Sequence, residues 1–189
     1  MKVYIASQNA GKISEYEKLL APNILCQCDI DVEETGMSFV ENALLKARAC
    51  AQDNEKGIYI GDDSGIMIDA LNGMPGIRSK RWNGALNVHE AIVNVLDDLE
   101  GKKGDLVAKM VCCIALLTHK NDPLPMFFTG ICEGVFIKQP RGKHGFAYDP
   151  YFLIPDLKKT NAELTPDEKN QISHRAKAAR LLKDYLLSL

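Results

Sequence analysis

Two adjacent carboxylates close a strand-like run, Gly57-Ile58-Tyr59-Ile60-Gly61-Asp62-Asp63-Ser64-Gly65. Neighbouring ionised Asp side chains repel, and the usual remedy is a bound cation or a shared proton. The flanking glycines let the backbone turn and let a ligand approach. Hard oxygen donors on a strand end are what Mg²⁺-dependent phosphate chemistry uses. An ordinary turn draws on the same Asp, Ser and Gly residues, so this run alone leaves both readings open. A second run, Ser7-Gln8-Asn9-Ala10-Gly11-Lys12, lies between a strand-like segment and a helix start. Such a junction presents free backbone N–H groups at the positive end of a helix dipole, and Lys12 adds a mobile positive charge. It is not a P-loop, which would need Gly at Ala6 and Ser or Thr at Ile13.

Two more groups of residues carry chemistry. Glu41 could join Asp62 and Asp63 on one cation, or could instead turn back onto its own helix as a capping-box acid. Gly142-Lys143-His144-Gly145-Phe146-Ala147-Tyr148-Asp149-Pro150 gathers glycines, aromatics and an Asp in a loop. Its rings could stack on a base or form a small core beneath the loop, with Asp149 preparing the turn into Pro150. Lys169, His174 and Arg175 offer hydrogen-bond donors, and a solvated helix face would use the same residues.

These groups need elements to hold them. Val3 to Ala6 reads as a strand, and Lys12 to about Leu20 as a helix. A second helix runs from about Phe39 to Asp53, opened by Ser38-Phe39-Val40-Glu41 and carrying a small face of Ala43, Ala47, Cys50 and Ala51. Asn87 to Leu99 is helical by its spacing of Ile92, Val95, Leu96 and Leu99. Leu106 to Thr118 reads as a long strand with Leu124 to Ile137 as its antiparallel partner. Thr165-Pro166-Asp167-Glu168 opens a final helix on which Ile172, Ala176, Ala179, Leu182 and Leu186 form the apolar line. Ser173 could cap a fresh helix, with a break near Gln171. His174 and Arg175 lie off the apolar line, free to face ligand or solvent. Strand, helix, strand, helix, strand in the opening third favours an α/β layer architecture.

Bulk properties exclude several classes. The chain has 189 residues, 46% hydrophobic and 25% charged, with a formal net charge of −2. That is enough for one domain or two small lobes, and too ordinary for disorder. No basic run points to nucleic acid. The longest apolar stretch, Val111 to Leu117, is too short to span a membrane. A strand begins almost at once, leaving no room for a signal peptide, so a cytoplasmic location is expected. Cys26, Cys28, Cys50, Cys112, Cys113 and Cys132 are then expected to be thiols, and their spacing does not match zinc.

With these residues assembled, the chain resembles the inosine/xanthosine triphosphate pyrophosphatases, enzymes that clear deaminated purine nucleotides. The resemblance runs almost end to end. It rests on Ser7-x-Asn9-x-x-Lys12-x-x-Glu15, on Phe39-Val40-Glu41-Asn42-Ala43-Leu44-x-Lys46-Ala47, on Asp62-Asp63-Ser64-Gly65 and on Gly73-x-Pro75-Gly76-Ile77-x-Ser79-x-Arg81. It continues through Gly145-Phe146-x-Tyr148-Asp149-Pro150, Glu163-Leu164-x-Pro166-x-Glu168-Lys169-Asn170 and Ser173-His174-Arg175.

The resemblance implies an elongated mixed α/β sheet with flanking helices, two lobes with a central cleft, in a single domain over residues 1–189, and a homodimer. It implies Mg²⁺-dependent hydrolysis of ITP, dITP and XTP to the monophosphate and pyrophosphate. It assigns Ser7, Gln8, Asn9, Ala10, Gly11 and Lys12 to the triphosphate, and Glu41 and Asp63 to the metal with Asp62 close by. Asp63 becomes the base. Ser64 touches the nucleotide, and Phe146, Ala147, Tyr148, Asp149, Lys169, His174 and Arg175 hold the nucleoside end. Donors on Lys169, His174 and Arg175 would favour a 6-oxo purine over adenine. The family usually has Gly where Ala147 stands, which costs stability if φ is positive there. The alternatives are a pyrophosphatase for other modified nucleotides and a sensor that binds without hydrolysis.

Overall fold

The structure is a computed structural model and describes residues 1–51, 57–104 and 106–188. The chain divides into two compact units. The first is Met1–Asp63, Cys112–Gly130 and His174–Leu189, and the second is Ser64–Val111 and Ile131–Ser173.

The first unit opens with β1 (Lys2–Ala6), α1 (Ala10–Leu19), β2 (Ile24–Cys28) and α2 (Phe39–Cys50). The sequence carried α2 on to Asp53, a residue outside the described ones. Asn9 caps α1, its side chain accepting from the Lys12 amide, and Ser38 caps α2 by accepting from the Glu41 amide. Next comes β3 (Ile58–Ile68), whose residues to Asp63 belong here. β1 runs parallel to both β2 and β3, with Val3 opposite Ile58 and Ala6 opposite Gly61.

The second unit holds the rest of β3, then β4 (Met74–Pro75) paired with it, and α3 (Val88–Asp98). β5 (Val107–Leu117) and β6 (Met126–Phe136) each contribute to both units. β7 (Phe152–Ile154) pairs with β6 and β8 (Lys159–Thr160) with β7, both antiparallel. α4 (Pro166–Ile172) closes this unit, and α5 (His174–Leu187) returns to the first. The break between the two helices falls at Ser173, which has extended backbone (φ −63°, ψ 158°). Strand order is β2-β1-β3-β5-β6 in the first unit, and β3, β5, β6, β7, β8 in the second. This is the mixed, helix-flanked sheet expected from the sequence.

Strand parity organises the first unit. Successive side chains point to opposite faces of a sheet. Val3, Ile5, Ile58, Ile60, Cys112, Ile114 and Leu116 face α1 and α5, packing on Tyr16, Leu20, Ala178, Ala179, Leu182 and Leu186. Ala6, Tyr59, Cys113, Ala115 and Leu117 face the other way, onto Ala43, Ala47 and Cys50 of α2. The small face of α2 lies so close that a Cβ on Gly61 would stand 2.2 Å from the Ala43 carbonyl oxygen and 2.5 Å from the Ala47 nitrogen. The second unit packs Ile66, Ile68, Ala108, Met110 and Phe136 against Ile92, Val95 and Leu99 of α3 and against Phe152 and Leu164.

The cysteine expectation fails at one pair: Cys28 and Cys50 form a disulfide, while Cys26, Cys112, Cys113 and Cys132 are thiols. Their Cα atoms lie 5.7 Å apart, within bridging reach, because the C-terminal ends of β2 and α2 meet there.

Candidate active site

The parity of β3 decides the fate of the adjacent acids. Asp62 continues the Ile58, Ile60 series and points toward α1 and α5. Asp63 continues the Tyr59, Gly61 series and points toward α2. The two carboxylates therefore point to opposite faces of the strand and do not converge as the sequence expectation had them.

Asp63 is 4% exposed. Lys46 Nζ donates to its Oδ1 at 2.8 Å and to the Asp62 carbonyl at 3.1 Å. Asn42 Nδ2 donates to Oδ2 at 3.3 Å. Asn42 and Lys46 are one helical turn apart on α2 and so meet the same carboxylate. Burial pushes the Asp63 carboxyl above its ordinary value, and the attraction of Lys46 offsets this only in part. Lys46 has a second acid, Glu34, at 2.5 Å. Its ammonium is held above its ordinary value because Asp63 and Glu34 outweigh the burial that opposes them.

Asp62 is 2% exposed and saturated. Lys12 Nζ donates to Oδ1 at 2.5 Å; Tyr16 OH donates to Oδ2 at 2.5 Å and Arg175 Nε at 3.2 Å. Arg175 NH1 also pairs with Glu15 at 2.5 Å. This overturns the expectation that Arg175 faces ligand or solvent: it is 2% exposed, and two carboxylates account for its charge. His174, beside it, is buried as well.

Metal donors separate on the same geometry. Asp62 is committed to protein donors. Glu41 is exposed and turns back, its Oε2 accepting from the Met37 amide at 2.6 Å, so it serves its own helix. Among the described residues no three His, Cys, Asp or Glu side chains are gathered to hold a metal ion. Asp63 and Glu34 are the acids that share one positive charge. A hard cation held by one or two carboxylates, with phosphate oxygens and water completing its shell, fits such a pair.

The Ser7–Lys12 run forms the N-terminal turn of α1. Ser7 Oγ accepts from the Asn9 amide at 3.2 Å, Gln8 and Ala10 are exposed, and Gly11 is half-buried. Lys12 is 7% exposed with its ammonium on Asp62, so it is an anchored charge and not a mobile one.

In the second unit, Asp149 organises the aromatic loop. Its Oδ2 accepts from the Phe146 amide at 2.8 Å and from Lys169 Nζ at 2.7 Å, and Asn161 Nδ2 reaches Oδ1 at 3.3 Å. Lys169 Nζ also lies 4.9 Å from the Phe146 ring centroid. A Cβ on Gly145, where φ is +76°, would stand 2.2 Å from Asp149 Oδ2. Ala147 has φ 52°, the left-handed region in which a side chain is strained. Tyr148 does not offer itself to a ligand. It is 3% exposed, its hydroxyl donates to the Ser79 carbonyl at 2.8 Å, and burial raises its pKa. Ser64, the first residue of this unit, is half-buried.

The sequence reading missed Glu34, Lys46, Asn42 and Tyr16 as parts of these clusters. The signal was present for three of them: Asn42 with Lys46, and Lys12 with Tyr16, stand four apart on helices.

Mixed α/β units that hold a buried carboxylate against lysine, beside the open end of a helix, form the frame of a phosphate-directed hydrolase. The chain belongs to the Ham1 family, whose model matches residues 3–185. It is 42% identical over 195 residues to a dITP/XTP pyrophosphatase of Coxiella burnetii, covering 98% of this chain and 96% of that one. A dITP/XTP pyrophosphatase of Legionella pneumophila is 43% identical, with 98% of each chain covered. A solved Ham1 protein structure from Coxiella burnetii superposes with a TM-score of 0.89 at 41% identity over 100% of both chains. That of Staphylococcus aureus gives 0.85 at 36% identity, over 100% of this chain and 99% of that one. Pyrophosphatases of this kind are generally metal-dependent and act on nucleoside triphosphates. No described helix is long and apolar enough to cross a membrane.

Proposed function

We propose that this chain hydrolyses ITP, dITP and XTP between the α- and β-phosphorus, releasing the monophosphate and pyrophosphate. The observation that carries the reading is Asp63, a buried carboxylate with a raised pKa, steadied by Lys46 and Asn42. A general base works best with its pKa moved toward the working pH, and burial moves this one in that direction. Asp63 then takes a proton from the attacking water. Lys12 and the first amides of α1 hold the triphosphate, and Lys46 faces the charge that grows on the leaving pyrophosphate. Asp63, with Glu34 in place of Glu41, would hold Mg²⁺. When bound, the ion neutralises phosphate charge.

In the second unit, Phe146 offers a stacking face and Lys169, fixed by Asp149, a donor for a 6-oxo purine. Adenine, with a 6-amino donor, would leave that ammonium unmatched. The proposed setting is a cytoplasmic homodimer that cleanses the nucleotide pool, binding neither nucleic acid nor membrane.

The test is product analysis with purified protein, Mg²⁺ and ITP, with ATP and GTP in parallel. IMP and pyrophosphate from ITP, little product from the other two and none from Asp63→Asn are expected. Orthophosphate and IDP would overturn the mechanism. Bound ITP with no product would favour a sensor.

A further inference from the structure

Tyr16 has no part in the chemistry described so far, yet its hydroxyl is spent on Asp62. The ring sits in the core of the first unit with no exposure, so the hydroxyl is the single polar group it brings there. Lys12 and Tyr16 stand four residues apart on α1, one turn apart on one face. The helix thus supplies both oxygens of one carboxylate, Lys12 reaching Oδ1 and Tyr16 reaching Oδ2, each at 2.5 Å.

A lysine ammonium sits on four flexible carbons and is a poor fixed point by itself. Anchoring it to a carboxylate helps only if the carboxylate cannot swivel, and the terminal torsion of an Asp side chain is broad. A phenol locked in a packed core removes that freedom, because its ring has almost no play. We infer that Tyr16 is a positioning residue, its hydroxyl holding Asp62 at the angle that presents Lys12 to the polyphosphate. The inference rests on the proposal that Lys12 serves the phosphates. Burial, and then the charge of Asp62, push the Tyr16 hydroxyl well above its ordinary pKa, so it remains a proton donor throughout the working range.

Arg175 Nε shares Oδ2 at 3.2 Å and is the strong competitor for orienting Asp62, while Cys112 Sγ, 3.5 Å from the same oxygen and from the Tyr16 hydroxyl, is a weak donor. The cluster contains two acids, Asp62 and Glu15, and two bases, Lys12 and Arg175. Tyr16→Phe leaves that balance untouched and the ring in place, so it removes orientation without removing charge.

Inorganic pyrophosphate is the probe, titrated calorimetrically with Mg²⁺ into the wild type, Tyr16→Phe, Lys12→Met and the double variant. ITP kinetics and thermal melts are run beside it. Tyr16→Phe is expected to weaken pyrophosphate binding and raise the KM for ITP by about 3- to 10-fold, the range of one net hydrogen bond, with kcat changed less than about 2-fold. In the Lys12→Met background the same change should have no effect, because Tyr16 acts through Lys12. Tyr16→Leu, which loses the hydroxyl but fills the core differently, must reproduce the pattern. Losses that add in the Lys12→Met background would overturn the inference by making Tyr16 a packing residue. Unchanged binding in Tyr16→Phe would also overturn it and assign the orientation to Arg175. The expected pyrophosphate pattern without ITP turnover by the wild type would support the inference while overturning the proposed reaction.

Discussion

Replacing Gly61 by alanine tests the claim that α2 must lie directly on β3 for Asp63 to be held. The added methyl would begin 2.2 Å from the Ala43 carbonyl oxygen and 2.5 Å from the Ala47 nitrogen, both backbone atoms that no rotamer change can move. Ordinary contact lies about 1 Å or more beyond that. The helix must therefore lift by roughly 1 Å, and overpacking of this kind costs about 1–3 kcal/mol. Asn42 and Lys46 ride on the same helix, and the Lys46 Cβ would itself stand 2.8 Å from the added methyl. A displacement of that size in groups that position a catalytic residue costs about 10²-fold in rate. Urea unfolding of Gly61→Ala should show a lower midpoint at an unchanged slope. Steady-state ITP hydrolysis should show a loss in kcat of about two orders of magnitude, with the protein still folded. A variant of wild-type stability and rate would refute the reasoning, since α2 would then not be fixed by its contact with Gly61. Loss of stability with full activity would refute its second half, that the contact sets the geometry around Asp63.

Four further outcomes follow from the geometry. In metal-free buffer the Asp63 carboxyl should titrate above the ordinary Asp value of about 3.9 because burial raises it, and adding Mg²⁺ should move that titration down, as carboxyl NMR would read. The same group makes stability fall as pH rises from its unfolded pKa through its folded one, since the native state holds that proton longer; Asp63→Asn should abolish this dependence. Ala147→Gly should stabilise the protein by about 0.5–1 kcal/mol, relieving the left-handed alanine at the cost of a half-buried methyl; a thermal melt should move up by roughly 1–4 °C, and a downward shift would mean the methyl's packing dominates. Cys50→Ser opens a loop with a sequence separation of 22, worth about 3 kcal/mol by chain entropy, so the melt should fall by roughly 6–12 °C; an unchanged melt, or intact mass showing six alkylatable thiols without reductant, would contradict the bridge.

What the sequence disclosed was local. The caps at Ser38 and Thr165 and the bounds of α3 and β5 are written in neighbouring residues, and each lies within two residues of its expected position. Glu41 shows the limit of such reading. A capping-box acid and a metal ligand share one spelling, and only the Met37 contact separates them. Glu34 was silent because its stretch between β2 and α2 has no periodicity to place it. The pairing of Cys28 with Cys50 depends on two elements ending at the same point in space, which spacing along the chain does not encode. β4, β7 and β8 are two or three residues long, too short for any alternation to show. Parity in β3, by contrast, was available, since adjacent Asp residues in a strand turn one to each face, although the strand runs on to Ile68 and does not close at the acids as expected.

That strand is a double-sided device with a cost in tolerance. Inserting or deleting one residue anywhere between Ile58 and Gly61 would exchange the two acids between the faces, leaving the composition of the motif intact. An insertion would bring Asp62 to the place beside Lys46, and a deletion would bring Asp63 to the place beside Lys12, where the base would be sealed under α1. Substitutions on the α1 side and on the α2 side should not be separable, because Lys46 Nζ reaches the Asp62 carbonyl at 3.1 Å and the charge of Lys12 acts across the strand to lower the Asp63 carboxyl. An engineer who retuned polyphosphate grip by changing Lys12 would therefore shift the base as well, because that ammonium is one of the charges holding the Asp63 carboxyl down.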